Sequence, residues 1–280
     1  VRLVACNNNP LLPRIGIVEE VFRETPDVKT FRVVSADGND FFDYEPGQCA
    51  MVSLFPVGEA LFSITSSPTR KGFLEFSIKE VGSVTRAMHE IVPGTKIGIR
   101  GPYGKGFPFN FMKGKDLLFI AGGIALAPLR SLINYCMDNR DDYGKIDIIY
   151  GSRSSADLIQ KVEIFENWPK VKNTQVHLTV DVKSDDWDGN VGFVPAFLEQ
   201  LNPDPQGKVT ITCGPPIMIK FVLQSLEKMK YAPENIITTL EMKMKCGVGK
   251  CGRCNIGDKY VCKEGPVFSL AQLQEMPPEF

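Results

Sequence analysis

Leu117-Leu-Phe-Ile-Ala-Gly-Gly-Ile-Ala-Leu-Ala-Pro-Leu129 is the stretch on which the fold turns. Its first five residues are apolar without alternation, two glycines follow, and a proline comes soon after. A short continuous apolar run bounded by turn residues reads as a strand buried on both faces, the habit of a parallel sheet. Gly122 and Gly123 fall where that strand gives way to a helix, and Pro128 is compatible with the first helical turn. The free N–H groups of such a turn face an anion, and residues without Cβ let a pyrophosphate approach the backbone. A strand followed by two glycines is equally an ordinary tight turn, so the place of the motif carries more weight than the motif. Thirteen residues broken by glycine and proline are also too short to span a bilayer.

Toward the C-terminus, apolar strands alternate with helices. Strands are expected at Leu117–Ala121, Ile146–Tyr150, Val176–Val180, Val209–Thr212 and Ile236–Leu240, with helices starting near Ala127, Ala156, Val194 and Pro216. Such alternation predicts a parallel sheet covered on both faces. Ligands collect beyond the carboxyl ends of such strands, where Gly151-Ser-Arg153 and Cys213-Gly-Pro-Pro216 join the Gly122-Gly123 turn. Arg153 reads either as a ligand contact or as a solvated surface charge, and Cys213 either as a site residue or as a strand-end core cysteine.

Toward the N-terminus, the runs are short, β-rich and separated by turn residues: Ile15–Phe22, Val28–Val34, Cys49–Leu54, Phe73–Ile78 and Lys96–Ile99. They predict a small antiparallel barrel. One helix interrupts it, with Ser83 as its cap, Val84, Ala87, Met88 and Ile91 at helical spacing, and an end near Pro93-Gly94. Leu61-Phe-Ser-Ile-Thr-Ser-Ser-Pro68 runs from apolar to hydroxyl residues, and Gly82-Ser-Val-Thr85 opens the helix. Phe62 suits stacking on a planar ring and Ser63 a hydrogen bond to a ring nitrogen, while N–H groups around Ser83 to Thr85 suit a phosphate. Phe62 is otherwise an ordinary core residue. The turn-rich Gly101–Pro108 stretch separates the two halves.

After the last strand come four cysteines within seventeen residues, Cys246-x4-Cys251-x2-Cys254-x7-Cys262. The first three match the C-x4-C-x2-C start of plant-type two-iron sites. Gly247, Gly249 and Gly252 suit a tight loop whose N–H groups approach anionic sulfur, and Lys250 and Arg253 offset charge. A structural zinc site usually uses two Cys-x2-Cys knuckles set further apart, and disulfides are a third reading. The other cysteines, Cys6, Cys49, Cys136 and Cys213, are scattered and expected to pack in cores.

At 280 residues the chain suffices for two ordinary domains, and a net charge of −1 shows no electrostatic footprint for nucleic acid or anionic membrane. Two histidines exclude a histidine-rich metal centre. Val1–Pro13 lacks the apolar core and cleavage site of a secretory signal, so a cytoplasmic location is expected.

The order of motifs resembles the ferredoxin-NADP reductase superfamily: a barrel with Phe-Ser-Ile, a Gly-x-x-Thr helix start, Gly-Pro-Tyr-Gly, Gly-Gly and Cys-Gly-Pro. The cysteine loop narrows the likeness to electron-transfer subunits such as hydrogenase and sulfhydrogenase gamma subunits and that of dihydroorotate dehydrogenase. It implies a β plus α/β architecture, with an antiparallel FAD-binding β-barrel over residues 13–108 and a parallel-sheet NAD(P)-binding domain over 109–241. A 2Fe-2S segment over 242–280 completes it. The resemblance implies that Phe62, Ser63 and Ile64 lie along the isoalloxazine, with Ile78, Lys79, Gly82, Val84 and Thr85 around the ribityl chain and pyrophosphate. It implies Gly122, Gly123 and Pro128 at the dinucleotide pyrophosphate, Cys213, Gly214 and Pro215 beside the nicotinamide, and Cys246, Cys251, Cys254 and Cys262 on the cluster.

Three departures stand out. Ala60 replaces an arginine common in the family, Ala125 a frequent glycine, and the chain runs through Glu241 and Met242 where a C-terminal aromatic often covers the flavin. The implied chemistry is electron flow among NAD(P)H, FAD and the cluster, because a flavin converts a hydride's electron pair into the single electrons a cluster accepts. Ser63 and Cys213 are expected to position the reactants. Asp181 disfavours a 2′-phosphate and so favours NADH, whereas Arg153 and Lys183 would attract one. The implied partner is a metal-containing or iron-sulfur redox subunit, foremost a hydrogenase, with dihydroorotate dehydrogenase or a sulfite reductase as alternatives. A zinc-stabilised interaction module is the reading from another class.

Overall fold

The computed structural model describes residues 9–277. Cys6 lies outside them. Strands β1 (Arg14–Arg23), β2 (Val28–Ser35), β3 (Cys49–Leu54), β4 (Gly58–Ser63), β5 (Leu74–Lys79) and β6 (Lys96–Tyr103) pair in the order β4-β3-β6-β1-β2-β5. Every neighbouring pair is antiparallel. Just past β4, Thr65 N donates to Glu75 O at 2.9 Å, so the chain leaving one edge strand meets the other and the sheet curls into a barrel. Phe31, Val52, Ile64, Phe76, Ile78 and Ile99 fill its core.

Helix α1 (Ser83–His89) leaves β5 with Gly82, not Ser83, in the N-cap position. Thr85 Oγ1 accepts from the N–H groups of Val81 and Gly82 at 2.9 and 2.8 Å, so the third helical residue reaches back and ties down the turn. Ser83 is thereby the first helical residue, and its hydroxyl is not needed as a cap.

A short helix α2 (Phe109–Met112) leads to β7 (Asp116–Gly122), α3 (Leu126–Asp138), β8 (Ile146–Ser152), β9 (Thr174–Val180), β10 (Asn190–Val191), α4 (Val194–Leu201), β11 (Lys208–Cys213), α5 (Pro216–Lys228) and β12 (Ile236–Thr239). These strands are parallel. The run Leu117–Ala121 occupies the middle strand. Leu117, Phe119 and Ala121 join the core beneath α3, whereas Leu118 and Ile120 point into a second core under α4 and α5. Two-sided burial is why the run shows no alternation.

One expected helix is corrected. The helix expected near Ala156 is only a turn at Ser155–Asp157, followed by irregular helical turns over Glu163–Lys170. Ile159 N bonds Tyr150 Oη at 3.1 Å and Gln160 N bonds Glu24 at 2.8 Å, and Gln160 adopts φ 54°. These tertiary bonds hold the chain out of a helical path. The C-terminal segment contributes to the second sheet. After the two-residue strands β13 (Asn255–Ile256) and β14 (Lys259–Tyr260) and helix α6 (Val261–Glu264), strand β15 (Val267–Ser269) pairs antiparallel with β12, and α7 (Leu270–Gln274) follows. The second sheet thus has the order β10-β9-β8-β7-β11-β12-β15.

A buried ionic seam joins barrel and sheet. Arg130 of α3 bonds Glu75 of β5 and Glu163, and Glu75 also meets Arg32 of β2 at 2.9 Å. Ser131 Oγ donates to Ser66 O at 2.6 Å. Among the described residues, no helix is long and apolar enough to cross a membrane.

Candidate functional site

The strand order reverses at β7, flanked by β8 and β11, and the turns leaving these three strands surround one cleft of roughly 980 Å³. Gly122, Gly123, Ala125, Arg153, Gly214 and Pro215 all line it, as do Asp181 and Glu241. This is the switch-point crevice where open α/β sheets bind dinucleotides. A Cβ on Gly122 or on Gly214 would collide with Met218, so the two turns close on that side chain only because neither carries one. Pro128 is the third residue of α3, half-buried, and does not line the cleft. Arg153 is 73% exposed at its side chain and sits 3.5 Å from Asp157. Burial lifts the Asp181 carboxyl above its ordinary value, with Arg153 opposing.

Cys213 ends β11 fully buried, with Sγ 3.0 Å from Thr239 Oγ1 on β12. Burial pushes its thiol up to about 12, and the Glu241 carboxylate and Cys49 add to that rise. Cys49 itself is pushed up to about 11, by burial first and in part by Glu241, while Ser63 opposes. The Glu241 carboxyl thus acts on a cysteine of the sheet and on a cysteine of the barrel. Glu241 escaped notice as a site residue in the sequence, although its position just beyond a parallel strand was the available signal.

In the barrel, Phe62 and Ser63 end β4 half-buried, with Ser63 Oγ 3.9 Å from Cys49 Sγ. Ile64 and Ile78 turn their side chains wholly into the barrel core, which leaves only their backbone to a ligand. Lys79 reaches the rim of the cleft and pairs with Asp27 at 3.2 Å. Val84 packs on the core, and Gly82, half-buried and without a side chain, offers no N-cap bond to the first N–H groups of α1, while Thr85 Oγ1 is taken by the N–H groups of Val81 and Gly82. An aromatic beside a hydroxyl, and uncapped N–H groups at the start of α1, suit a flavin ring and its phosphates.

The cysteine loop leans on the barrel. Cys246 Sγ accepts from the N–H groups of Val248, Lys250 and Cys251 at 3.3 to 3.4 Å, and Cys262 Sγ from Gly249 at 3.2 Å. Burial opposes ionisation of Cys246, yet those N–H groups bring its thiol down to about 6. Cys254 and Cys262 are buried, whereas Cys251 faces solvent. Gly247 has φ 78°, and a Cβ there would stand 2.7 Å from the Tyr103 ring. Two of the four thiols, Cys254 and Cys262, sit in a small hydrophobic nest, and amide N–H groups aim at the sulfurs of Cys246 and Cys262, a donor set that suits an iron-sulfur cluster.

Register links the parts. Ser63 on β4 pairs with Cys49 on β3, and Cys49 pairs with Tyr103 on β6. One row of residues therefore runs from the flavin strand to the wall of the cluster loop. Arg100, which the sequence did not single out, hydrogen-bonds that loop from β6.

Comparison with known proteins agrees with this geometry. The family described as "Oxidoreductase FAD-binding domain" matches residues 16–107, and "Oxidoreductase NAD-binding domain" matches 119–224. "Iron-sulfur cluster binding domain of dihydroorotate dehydrogenase B" matches residues 241–274, which sets the zinc reading aside. The gamma subunit of sulfhydrogenase 1 from Pyrococcus furiosus is 39% identical, over 97% of this chain and 95% of its own. The gamma subunit of sulfhydrogenase 2 from the same organism is 36% identical over 93% and 96%. A probable electron transfer subunit of dihydroorotate dehydrogenase B from Methanocaldococcus jannaschii is 34% identical over 91% and 89%. Among solved structures, a chain of an NADH-dependent reduced ferredoxin-NADP oxidoreductase superposes with a TM-score of 0.76 at 22% identity, covering 94% of this chain and 89% of that one, a likeness of fold. FAD, NAD(P)H and an iron-sulfur cluster are accordingly its cofactors, and the chain belongs to the family of electron-transfer oxidoreductase subunits that join a ferredoxin-reductase-like FAD and NAD pair of domains to an iron-sulfur-binding segment.

Proposed function

We propose that the chain is the diaphorase-type subunit of a cytoplasmic hydrogenase complex, exchanging electrons between NADH and a metal-containing catalytic partner. The observation that carries this reading is the row Ser63–Cys49–Tyr103, which runs across the barrel from the strand of Phe62 and Ser63 to the wall of the cysteine loop. Bound FAD supplies the exchange between a hydride's electron pair and the single electrons of a 2Fe-2S cluster. The rest is binding and alignment by this chain. Gly122, Gly123, Gly214 and Pro215 admit the dinucleotide, and Cys213, buried at the end of β11, backs the Gly214-Pro215 turn. Phe62 and Ser63 hold the flavin ring, while Lys79, Gly82, Val84 and Thr85 hold its phosphate side. Cys246, Cys251, Cys254 and Cys262 ligate a 2Fe-2S cluster, and the working boundaries are 13–108, 109–241 and 242–280.

Greater identity to the two sulfhydrogenase gamma subunits than to the dihydroorotate dehydrogenase subunit favours the hydrogenase partner. The match of the cysteine segment to the dihydroorotate dehydrogenase type keeps that enzyme as a second reading. Visible spectra of the anaerobic protein before and after NADH are the first test. Bleaching of both flavin and cluster absorbance is expected; folded protein lacking both chromophores would overturn the assignment. In the complex purified from its source, reduction by hydrogen rather than by dihydroorotate selects the partner.

A further inference from the structure

We propose that Arg100 is the positioning residue of the cluster, tethering its loop to the barrel and biasing the cluster toward its reduced form. The proposal rests on the reading that Cys246, Cys251, Cys254 and Cys262 hold the cluster.

Arg100 sits on β6 with its guanidinium only 6% exposed. A guanidinium has five N–H donors in a planar fork, and here all five are engaged. Nη1 donates to Cys246 O at 2.8 Å and to Tyr103 Oη at 2.9 Å. Nη2 donates to Lys245 O at 2.9 Å and to Glu59 Oε1 at 2.8 Å, and Nε to Glu59 Oε2 at 3.2 Å. Two of the acceptors are consecutive carbonyls of the cluster loop, one of them on the first cysteine. The fork therefore grips the glycine-rich loop where it begins.

Two consequences follow from that geometry. The first is spacing. Glu59 belongs to β4, three positions before Phe62, and Arg100 pairs through Met51 with Leu61 of the same strand. One side chain thus ties the loop carrying the cluster to the strand carrying Phe62 and Ser63, so the distance between the two cofactors is set by the sheet and not by the loop.

The second is charge. Reduction adds one electron to a cluster already surrounded by thiolates, and a fixed cation in a poorly solvated site stabilises that added charge. Glu59 lies on the far side of the guanidinium and is 44% exposed at its side chain, so water screens it more than the buried Arg100. The pair presents its positive end to Cys246. Replacing either partner with a neutral isostere should therefore move the cluster's potential in opposite directions, which mere damage to the loop would not do.

The test is an EPR-monitored redox titration of the full-length, FAD- and cluster-loaded protein and its variants. Iron and flavin content are measured on the same samples. Arg100→Gln is expected to lower the midpoint so that, at the wild-type midpoint potential, the ratio of reduced to oxidised cluster falls about tenfold, roughly 59 mV for one electron. Glu59→Gln is expected to raise it, and Arg100→Lys to fall between wild type and Arg100→Gln. Unchanged midpoints, or shifts of the same sign in Arg100→Gln and Glu59→Gln, would overturn the proposal. If Arg100→Gln loses its iron, Glu59→Gln decides alone, since an unchanged or lowered midpoint there contradicts the charge argument. A wild-type protein with no reducible cluster would sink the underlying cluster reading instead, a result distinct from an Arg100 that leaves a present cluster unmoved.

Discussion

The chemistry of single residues here is set mostly by what surrounds them. Cys213 looked like either a site residue or a core cysteine, and it is a buried thiol at the end of a strand beside the cleft. A thiol pushed up to about 12 stays protonated at neutral pH, so in the function proposed above Cys213 would serve by packing and not by proton transfer. Asp181 is legible in both forms: the sequence placed it after the third strand, and it lines the cleft next to Arg153. A carboxylate there repels the 2′-phosphate of NADPH, while Arg153 is too exposed to offset it fully. Asp181→Ser should raise kcat/KM for NADPH relative to NADH by about tenfold, equivalent to ~1.4 kcal/mol. Steady-state diaphorase assays with both dinucleotides check this, and an unchanged ratio would remove Asp181 from the selectivity argument. Arg100 gave no local signal, because one arginine on a strand looks the same whether it faces water or a neighbouring loop.

Elements were read most reliably where burial is two-sided. The run Leu117–Ala121 became the central strand because residues of alternate parity fill two separate cores, each under its own helices. Phe119 is fully buried between β8 and β11, so Phe119→Ala should cost about 3–5 kcal/mol. Val191→Ala on the exposed edge strand β10 should stay within about 0.5 kcal/mol. Denaturant melts of the two variants give the comparison, and similar midpoints would contradict the assigned core. The expected helix near Ala156 failed for an identifiable reason. Its apolar spacing is helical, but Tyr150, in the preceding strand, and Glu24, remote in sequence, claim the backbone N–H groups of Ile159 and Gln160. Strand β15 was invisible as well, since three residues ending in a serine carry no period of their own and pair only once the cysteine loop has folded back.

At the scale of the molecule, the seam through Arg130 holds the barrel against the sheet. Arg130→Met would leave Glu163 buried without its cation and Glu75 with Arg32 alone, and a loss of about 3–5 kcal/mol is expected. Neutralising both carboxylates in that background, with Glu75→Gln and Glu163→Gln, should recover most of it in thermal melts. Burial raises the Glu75 carboxyl, but Arg130 and Arg32 more than reverse this and hold it below its ordinary value of 4.5. A depressed folded value means that the seam stabilises fully above that pH and loses its contribution as pH falls through the folded value. Acid should therefore loosen the barrel from the sheet, and in Arg130→Met the acid limb of a stability–pH curve should flatten. By itself the sequence determined the two architectures, the glycine turns at the strand ends and the four cysteines, because strand periodicity, Cβ-less turns and ligand spacing are properties of neighbours along the chain. Only the tertiary structure decided that Glu241 enters the cleft, that Arg130 joins the two halves, that β15 completes the second sheet and that Arg100 grips the cluster loop. Each of these depends on a charge or a hydrogen bond finding its partner far away in sequence, and burial strengthens such pairs only after the chain has brought them together.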